Sequence, residues 1–240
     1  MWKINILTLF PEIYPGPLKY STPGKAMDAE HWELNTKNIR DFATSKHKTV
    51  DSSPFGGGGG MLLRADVLGI AIESFFIPNG YPIIYLSPKG DLLNQNMAKS
   101  IVKSNNGINI LCGRFEGIDE RLIKEYKIQE VSIGDYVLSS GDMASFAFID
   151  CCLRYVSGYV SNEDSLQEES FGEGGYEHLL EYPHYTKPLV WKSNKVPEIL
   201  VSGDHKKIFE WRLNQAKKIT KNRRPDLWTK YLNGVKDELS

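Results

Sequence analysis

Three stretches of the chain pair an apolar run with a loop of glycine and charged residues. Pro82-Ile83-Ile84-Tyr85-Leu86 stops at Ser87-Pro88-Lys89-Gly90. Ile108, Ile110, Leu111 and Cys112 lead into Gly113-Arg114-Phe115-Glu116-Gly117. Ser132-Ile133-Gly134-Asp135-Tyr136-Val137-Leu138 continues to Gly141-Asp142. The apolar runs have the length of short buried strands, and glycine beyond a strand end permits φ > 0 and close backbone approach. Three such strand ends are what an α/β protein needs to hold a ligand beyond the carboxyl ends of its strands.

Other chemistries lack their residues. The five glycines Gly56 to Gly60 are followed by Met61-Leu62-Leu63, not by the Gly-Lys-Ser/Thr of a phosphate loop. No GxGxxG follows the first apolar run, so a Rossmann-type cofactor site near the first strand is not expected. His31, His47, His178, His184 and His205 show no metal-ligand spacing. Cys112, Cys151 and Cys152 form no CxxC pair and, with apolar neighbours, read as reduced core thiols.

These loops need a scaffold, and 240 residues supply one large domain or two modest ones. Hydrophobic content of 41% and charged content of 25% are ordinary for a globular protein. The apolar run after Met1 is too short for a signal peptide or membrane span, and no later run is longer, so a cytosolic protein is expected. The net charge of −1 announces no polyanionic partner, but its distribution is uneven.

Taken in order, Ile4 to Phe10 reads as a first buried strand. Residues 13–35, broken by prolines and glycines, allow only a short helix. The Gly56–Gly60 run alone reads as a mobile linker. Ala65 to Phe76 has helical spacing, and Leu92 to Val102 has it more weakly, with Asn94 and Asn96 against it. Gly141-Asp142 offers an N-cap for a helix to about Tyr155 that buries Phe146, Ile149, Cys152, Leu153 and Val156. Arg154, at that helix's C-terminal end, is by itself a surface arginine favoured by the helix dipole.

From Asn162 to Tyr182 the chain carries seven acids and neither lysine nor arginine, which reads as a flexible interdomain linker. From Ser202 to Lys230 nine basic residues face three acidic ones. Asp204 can cap a helix there, with Ile208, Trp211, Gln215 and Ile219 on one face and the basic residues outward. A charged outer face is often merely solvated. An excess this large, with Trp211 and Trp228 nearby, favours a polyanion contact.

Tyr85-Leu86-Ser87-Pro88, the run Gly113 to Arg121 and the run Ser132 to Ser139 resemble bacterial tRNA (guanine-N1-)-methyltransferases, the TrmD family of the SPOUT superfamily. The likeness extends from Leu9-Phe10-Pro11-Glu12 through Pro183-His184-Tyr185-Thr186 to Trp211-Arg212. It implies an α/β fold: a trefoil-knotted parallel-sheet domain over 1–160, an acidic linker over 161–175 and a small helical tRNA-binding domain over 176–240. Knots are rare, so no general rule would have suggested one. The implied cofactor is S-adenosylmethionine, held by Tyr85, Leu86, Ser87, Pro88, Gly113, Glu116, Gly117, Ser132, Ile133, Gly134, Asp135, Tyr136, Val137, Leu138 and Gly141. The resemblance also implies a glycine loop closing near that pocket, assistance from magnesium, and a cytoplasmic homodimer whose subunits share active sites.

The implied reaction is methylation of N1 of guanosine 37, just 3′ of the tRNA anticodon. It requires a base for the N1 proton, a cation for charge developing toward O6, and an in-line methyl donor. Arg154 would serve as the cation. The family's base is an aspartate in Glu-Asp-Ser-Phe; here the matching residues are Glu168-Glu169-Ser170-Phe171, so Glu169 is the candidate. Phe115, Ser140 and Gly59 stand where the family usually has tyrosine, glycine and proline. The alternative is a catalytically weak tRNA-binding paralogue of the same fold, for which the glutamate at 169 is the one argument. A ribose methyltransferase is less well matched, because it has no use for an acidic base.

Overall fold

The computed structural model describes residues 1–160 and 167–237, which fall into two compact units, Met1–Ser161 and Asn162–Ser240. The strands of the first unit are β1 (Trp2–Thr8), β2 (Trp32–Asn38), β3 (Asp51–Ser52), β4 (Leu62–Leu63), β5 (Ile83–Leu92), β6 (Gly107–Leu111) and β7 (Gln129–Ser132). Five of them form a parallel sheet in the order β2-β1-β6-β5-β7, while β3 and β4 pair antiparallel. Helices α1 (Ser21–Asp28), α2 (Ala65–Ala71), α3 (Gln95–Ser104), α4 (Glu120–Glu125) and α5 (Gly141–Leu153) complete the unit.

Side chains alternate across the sheet and fill a core on each face. Ile4, Ile6, Ile84, Ile108 and Ile110 pack with Ala98 and Ile101 of α3 and with Phe148, Ile149 and Cys152 of α5. Leu7, Ile83, Tyr85 and Leu111 pack with Val67 and Leu68 of α2, Leu122 of α4 and Phe76. A parallel sheet covered on both faces explains why its strands read as nearly unbroken apolar runs.

Several elements differ from expectation. β1 ends at Thr8, whose hydroxyl donates to buried Asp142 at 2.6 Å and accepts from the Phe10 N–H at 3.0 Å. β2 begins inside the stretch that holds the expected short helix and runs beyond it to Asn38; as a sheet edge with mostly half-buried or exposed residues, it carries a polar sequence. β5 does not stop at Ser87. Leu86 and Asp91 both pair opposite Val131, so Ser87-Pro88-Lys89-Gly90 bulges from a continuing strand, a place that tolerates proline. The helix from Ala65 widens into a π-type turn over Ile72–Phe76. Asn94, counted against the next helix, is its N-cap, accepting from the Met97 N–H at 3.0 Å. Ser140 caps α5, accepting from the Asp142 N–H at 3.2 Å, and Phe146 is only half-buried, 4.9 Å from the Tyr14 ring.

The second unit contains the short strands β8 (Val190–Trp191) and β9 (Asn194–Lys195) and helices α6 (His205–Arg223) and α7 (Pro225–Asp237). Its core is Tyr176, Leu179, Tyr182 and Ala216, flanked by Leu213, Trp228 and Tyr231. Asp204 caps α6 as expected, accepting from the Lys207 N–H at 3.1 Å. The deeply buried positions of α6 are Ala216 and Thr220; Ile208, Trp211, Gln215 and Ile219 are half-buried. Thr220 donates to the Ala216 carbonyl and accepts from the Leu180 N–H, both at 2.8 Å, which ties the preceding segment against small side chains.

Residues 161–166 of the expected linker lie outside the described residues. Residues 167–175 make hydrogen bonds within the second unit. Gly174 donates to the Gln167 carbonyl at 3.0 Å, Phe171 to that of Leu179 at 3.2 Å, and the Ser170 hydroxyl accepts from the Glu181 N–H at 2.9 Å.

Candidate active site

Past the carboxyl ends of β5, β6 and β7 the three glycine-bearing loops enclose a cleft of about 330 Å³. It lies within the 300–1,000 Å³ range of small-molecule sites. Every residue expected to bind the cofactor lines this cleft except Asp135, which is exposed in its loop.

The loops are held by backbone contacts that side chains would break. Gly141 donates to the Gly113 carbonyl at 2.9 Å, and a Cβ at 141 would stand 2.9 Å from the Gly113 nitrogen. This joins the start of α5 to the loop after β6. A Cβ at Gly113 would meet the Tyr85 ring at 2.8 Å, so bare backbone there serves close approach. Gly117 answers the other need, with φ +114°. Arg114 donates to the Ser139 carbonyl at 3.0 Å and lies 4.9 Å over the Phe10 ring, fastening the 134–140 loop across the cleft.

The glycine-rich segment borders the same place. Glu116 donates its N–H to the Met61 carbonyl at 2.9 Å and Leu63 donates to that of Gly117 at 3.0 Å. Gly60 lies so close to the Glu116 side chain that a Cβ there would overlap it.

Two features of the cleft were not legible beforehand. Glu130 lines it with a buried Oε1 that has no hydrogen-bond partner among the described residues, and its charge helps push the Tyr85 phenol up to about 12, after burial. The only sequence signal was an acid one residue before an apolar strand end. Behind the cleft, Tyr14 meets Ser145 Oγ at 2.6 Å, Asp142 Oδ1 at 3.2 Å and Cys112 Sγ at 3.3 Å. Burial raises both the Tyr14 phenol and the Cys112 thiol, keeping them neutral beneath the loops.

The two expected catalytic residues belong to different units. Arg154 ends α5, half-buried, and its charge partly offsets the rise to about 12 that burial and Asp150 impose on Tyr159. At 1.5 Å per residue it stands about 20 Å along the helix from Gly141 at the cleft, and it does not line the cleft. Glu169 is half-buried in the second unit, where its carbonyl accepts from the Gly172 N–H at 2.9 Å. Its neighbour Glu168 accepts from the Tyr182 hydroxyl at 3.1 Å and from Arg212 at 3.2 Å.

An open parallel sheet whose ligand cleft is built from bare-backbone loops at the strand ends defines an α/β ligand-binding protein. Residues 2–230 match the family described as tRNA (Guanine-1)-methyltransferase TrmD, and the chain belongs to that family. Similar proteins named tRNA (guanine-N(1)-)-methyltransferase include one from Ruegeria sp. (strain TM1040), 49% identical over 96% of this chain and 93% of its own. One from Wolbachia pipientis wMel is 49% identical over 97% of this chain and 98% of its own. One from Anaplasma marginale (strain St. Maries) is 51% identical over 93% of each. Among the described residues no helix is long and apolar enough to cross a membrane, and no group of three or more histidine, cysteine or acidic side chains could hold a metal ion.

Proposed function

We propose that this protein transfers a methyl group from S-adenosylmethionine to N1 of the guanosine at tRNA position 37, immediately 3′ of the anticodon. The observation that carries the reading is the family match over residues 2–230, whose expected cofactor loops meet in one cleft. The unpaired buried Oε1 of Glu130, which could accept from a ligand donor, and the bare loop backbones support a cofactor in that cleft. Once bound there, S-adenosylmethionine supplies an electrophilic methyl group.

The chain's own residues then have three tasks. Glu169 accepts the N1 proton, Arg154 stabilises the negative charge that develops toward O6, and the loops fix the donor in line with N1. Loss of that proton would leave an electron pair on N1 for the methyl group, which the cofactor would supply by giving up its carbon–sulfur bond, the bonding pair staying on sulfur. Magnesium, which the resemblance implies, would be held by the tRNA phosphates and would offset charge there, since no metal-holding group stands among the described residues.

The active protein is a homodimer in the cytoplasm. The distance of about 20 Å along α5 supports that state, because Arg154 then serves a cleft other than its own chain's. Threading of the loops as a trefoil knot, which the resemblance implies, accompanies this reading. Domain limits of 1–160, 161–175 and 176–240 accompany this reading, the middle segment delivering Glu169.

Labelled methyl transfer tests the proposal. A tRNA transcript with guanosine at position 37 should accept label that nuclease digestion recovers as N1-methylguanosine, and one with adenosine there should not. Binding without any transfer would favour the catalytically weak paralogue.

A further inference from the structure

The second unit holds a cleft of its own, of about 510 Å³; Glu168, beside the candidate base, lies in its lining, while its exposed aromatic walls have no task in methyl transfer. One wall is a face of α6 bearing His205, Phe209 and Arg212, spaced to lie one above another on a helix. The other wall is the extended segment with Tyr182, His184 and Tyr185. Phe209 is 45% exposed and Tyr185 48%, so two large aromatic surfaces stand open to solvent. Arg212 lies 4.8 Å over the Tyr182 ring, and its buried Nε has no hydrogen-bond partner among the described residues.

We propose that this cleft takes one unpaired nucleobase of an RNA strand. Rings make up most of its walls, with Leu200, Ile208 and the Arg212–Glu168 ion pair among them, whereas a groove for a protein helix would be mainly aliphatic. Aromatic faces stack on bases of any sequence, and a guanidinium adds cation–π attraction or pairs with the flanking phosphate. The cleft also adjoins the most basic stretch of the chain, Ser202 to Lys230, which attracts the strand. The partner chemistry rests on the tRNA reading above, and the cleft gives a specific place to one base.

The test compares a short single-stranded RNA with a duplex RNA of the same length, both labelled and titrated with full-length protein. The Tyr185→Ala, Phe209→Ala double variant removes two half-exposed rings, and its melting curve is recorded alongside. Single-strand affinity should fall tenfold or more, with duplex affinity and the salt slope unchanged because no phosphate contact is lost. Equal losses for both RNAs, or no loss, would overturn the nucleobase site. So would a changed oligomeric state in sedimentation, which would make the cleft a protein contact. Methyl transfer by the wild type is scored separately. Transfer without the single-strand effect rejects the cleft alone, and the effect without transfer rejects the enzymatic reading alone.

Discussion

Oε2 of Glu168 accepts two hydrogen bonds at once, from Arg212 at 3.2 Å and from the Tyr182 hydroxyl at 3.1 Å. With Ser170 held by the Glu181 N–H, the residues on both sides of Glu169 are anchored. Glu168 therefore positions the candidate base without touching substrate. Glu168→Ala should lower single-turnover methylation about tenfold with cofactor affinity unchanged. Glu168→Gln, whose amide oxygen can accept both bonds, should rescue most of that loss. Failure of rescue would assign Glu168 a role through its charge.

Glu169→Gln keeps size but cannot take a proton. Methylation should fall roughly a hundredfold or more, with tRNA and cofactor affinities nearly intact by titration. Glu169→Asp restores the residue the family usually carries and should keep most activity. A fully active glutamine variant would reject Glu169 as the base.

Binding of tRNA should weaken steeply with salt, because lysine and arginine contacts release counterions from phosphates. Lys218, Lys221 and Arg223 are exposed on α6, whereas Lys217 lies 5.4 Å over the Tyr231 ring and is partly structural. Replacing the three exposed residues by alanine should reduce the log–log salt slope by about 2–3, with cofactor affinity unaffected. An unaltered slope would make the face merely solvated.

If Arg154 and Glu169 of different subunits serve one site, two inactive proteins can repair each other. Mixing Arg154→Ala with Glu169→Ala subunits should give heterodimers with one site bearing both lesions and one intact site. Up to half the wild-type activity should return per heterodimer. Confirmed subunit exchange without recovery would count against shared sites.

The acid stability of the loop after β6 depends on Asp119. It caps α4, accepting from the Arg121 N–H at 2.9 Å, and the Arg121 guanidinium lowers its carboxyl to about 2. A lowered folded pKa contributes stability that is present above the ordinary value of 3.8 and is lost as pH falls toward 2. Asp119→Ala should cost about 1 kcal/mol near pH 7, or roughly 2–4 °C in Tm. Thermal scans should show the gap narrowing below pH 4. A gap independent of pH would exclude the ionised carboxylate as its source.

Local features were legible in the sequence and distant pairings were not. Ile83 to Leu86 and Ile108 to Leu111 announce strands because both sheet faces are covered. Trp32 to Asn38 hides one because it lies at an edge, where polar side chains meet solvent. The acids near 168 looked solvated because Arg212, the partner of Glu168, stands 44 residues away. The site loops could be named from their motifs, but the unpaired Glu130 oxygen depends on burial that no local pattern encodes.

Tyr85 also constrains how this cleft could diverge. Its ring occupies the space that a side chain at Gly113 would need, so a lineage that first lost the ring could later accept alanine at 113. Taken in the opposite order, the same two changes pass through a clashing intermediate. Gly117 has no such escape, because its φ of +114° penalises a side chain whatever stands at 85. Neutral drift should therefore move position 113 only in step with position 85, while position 117 stays fixed through both.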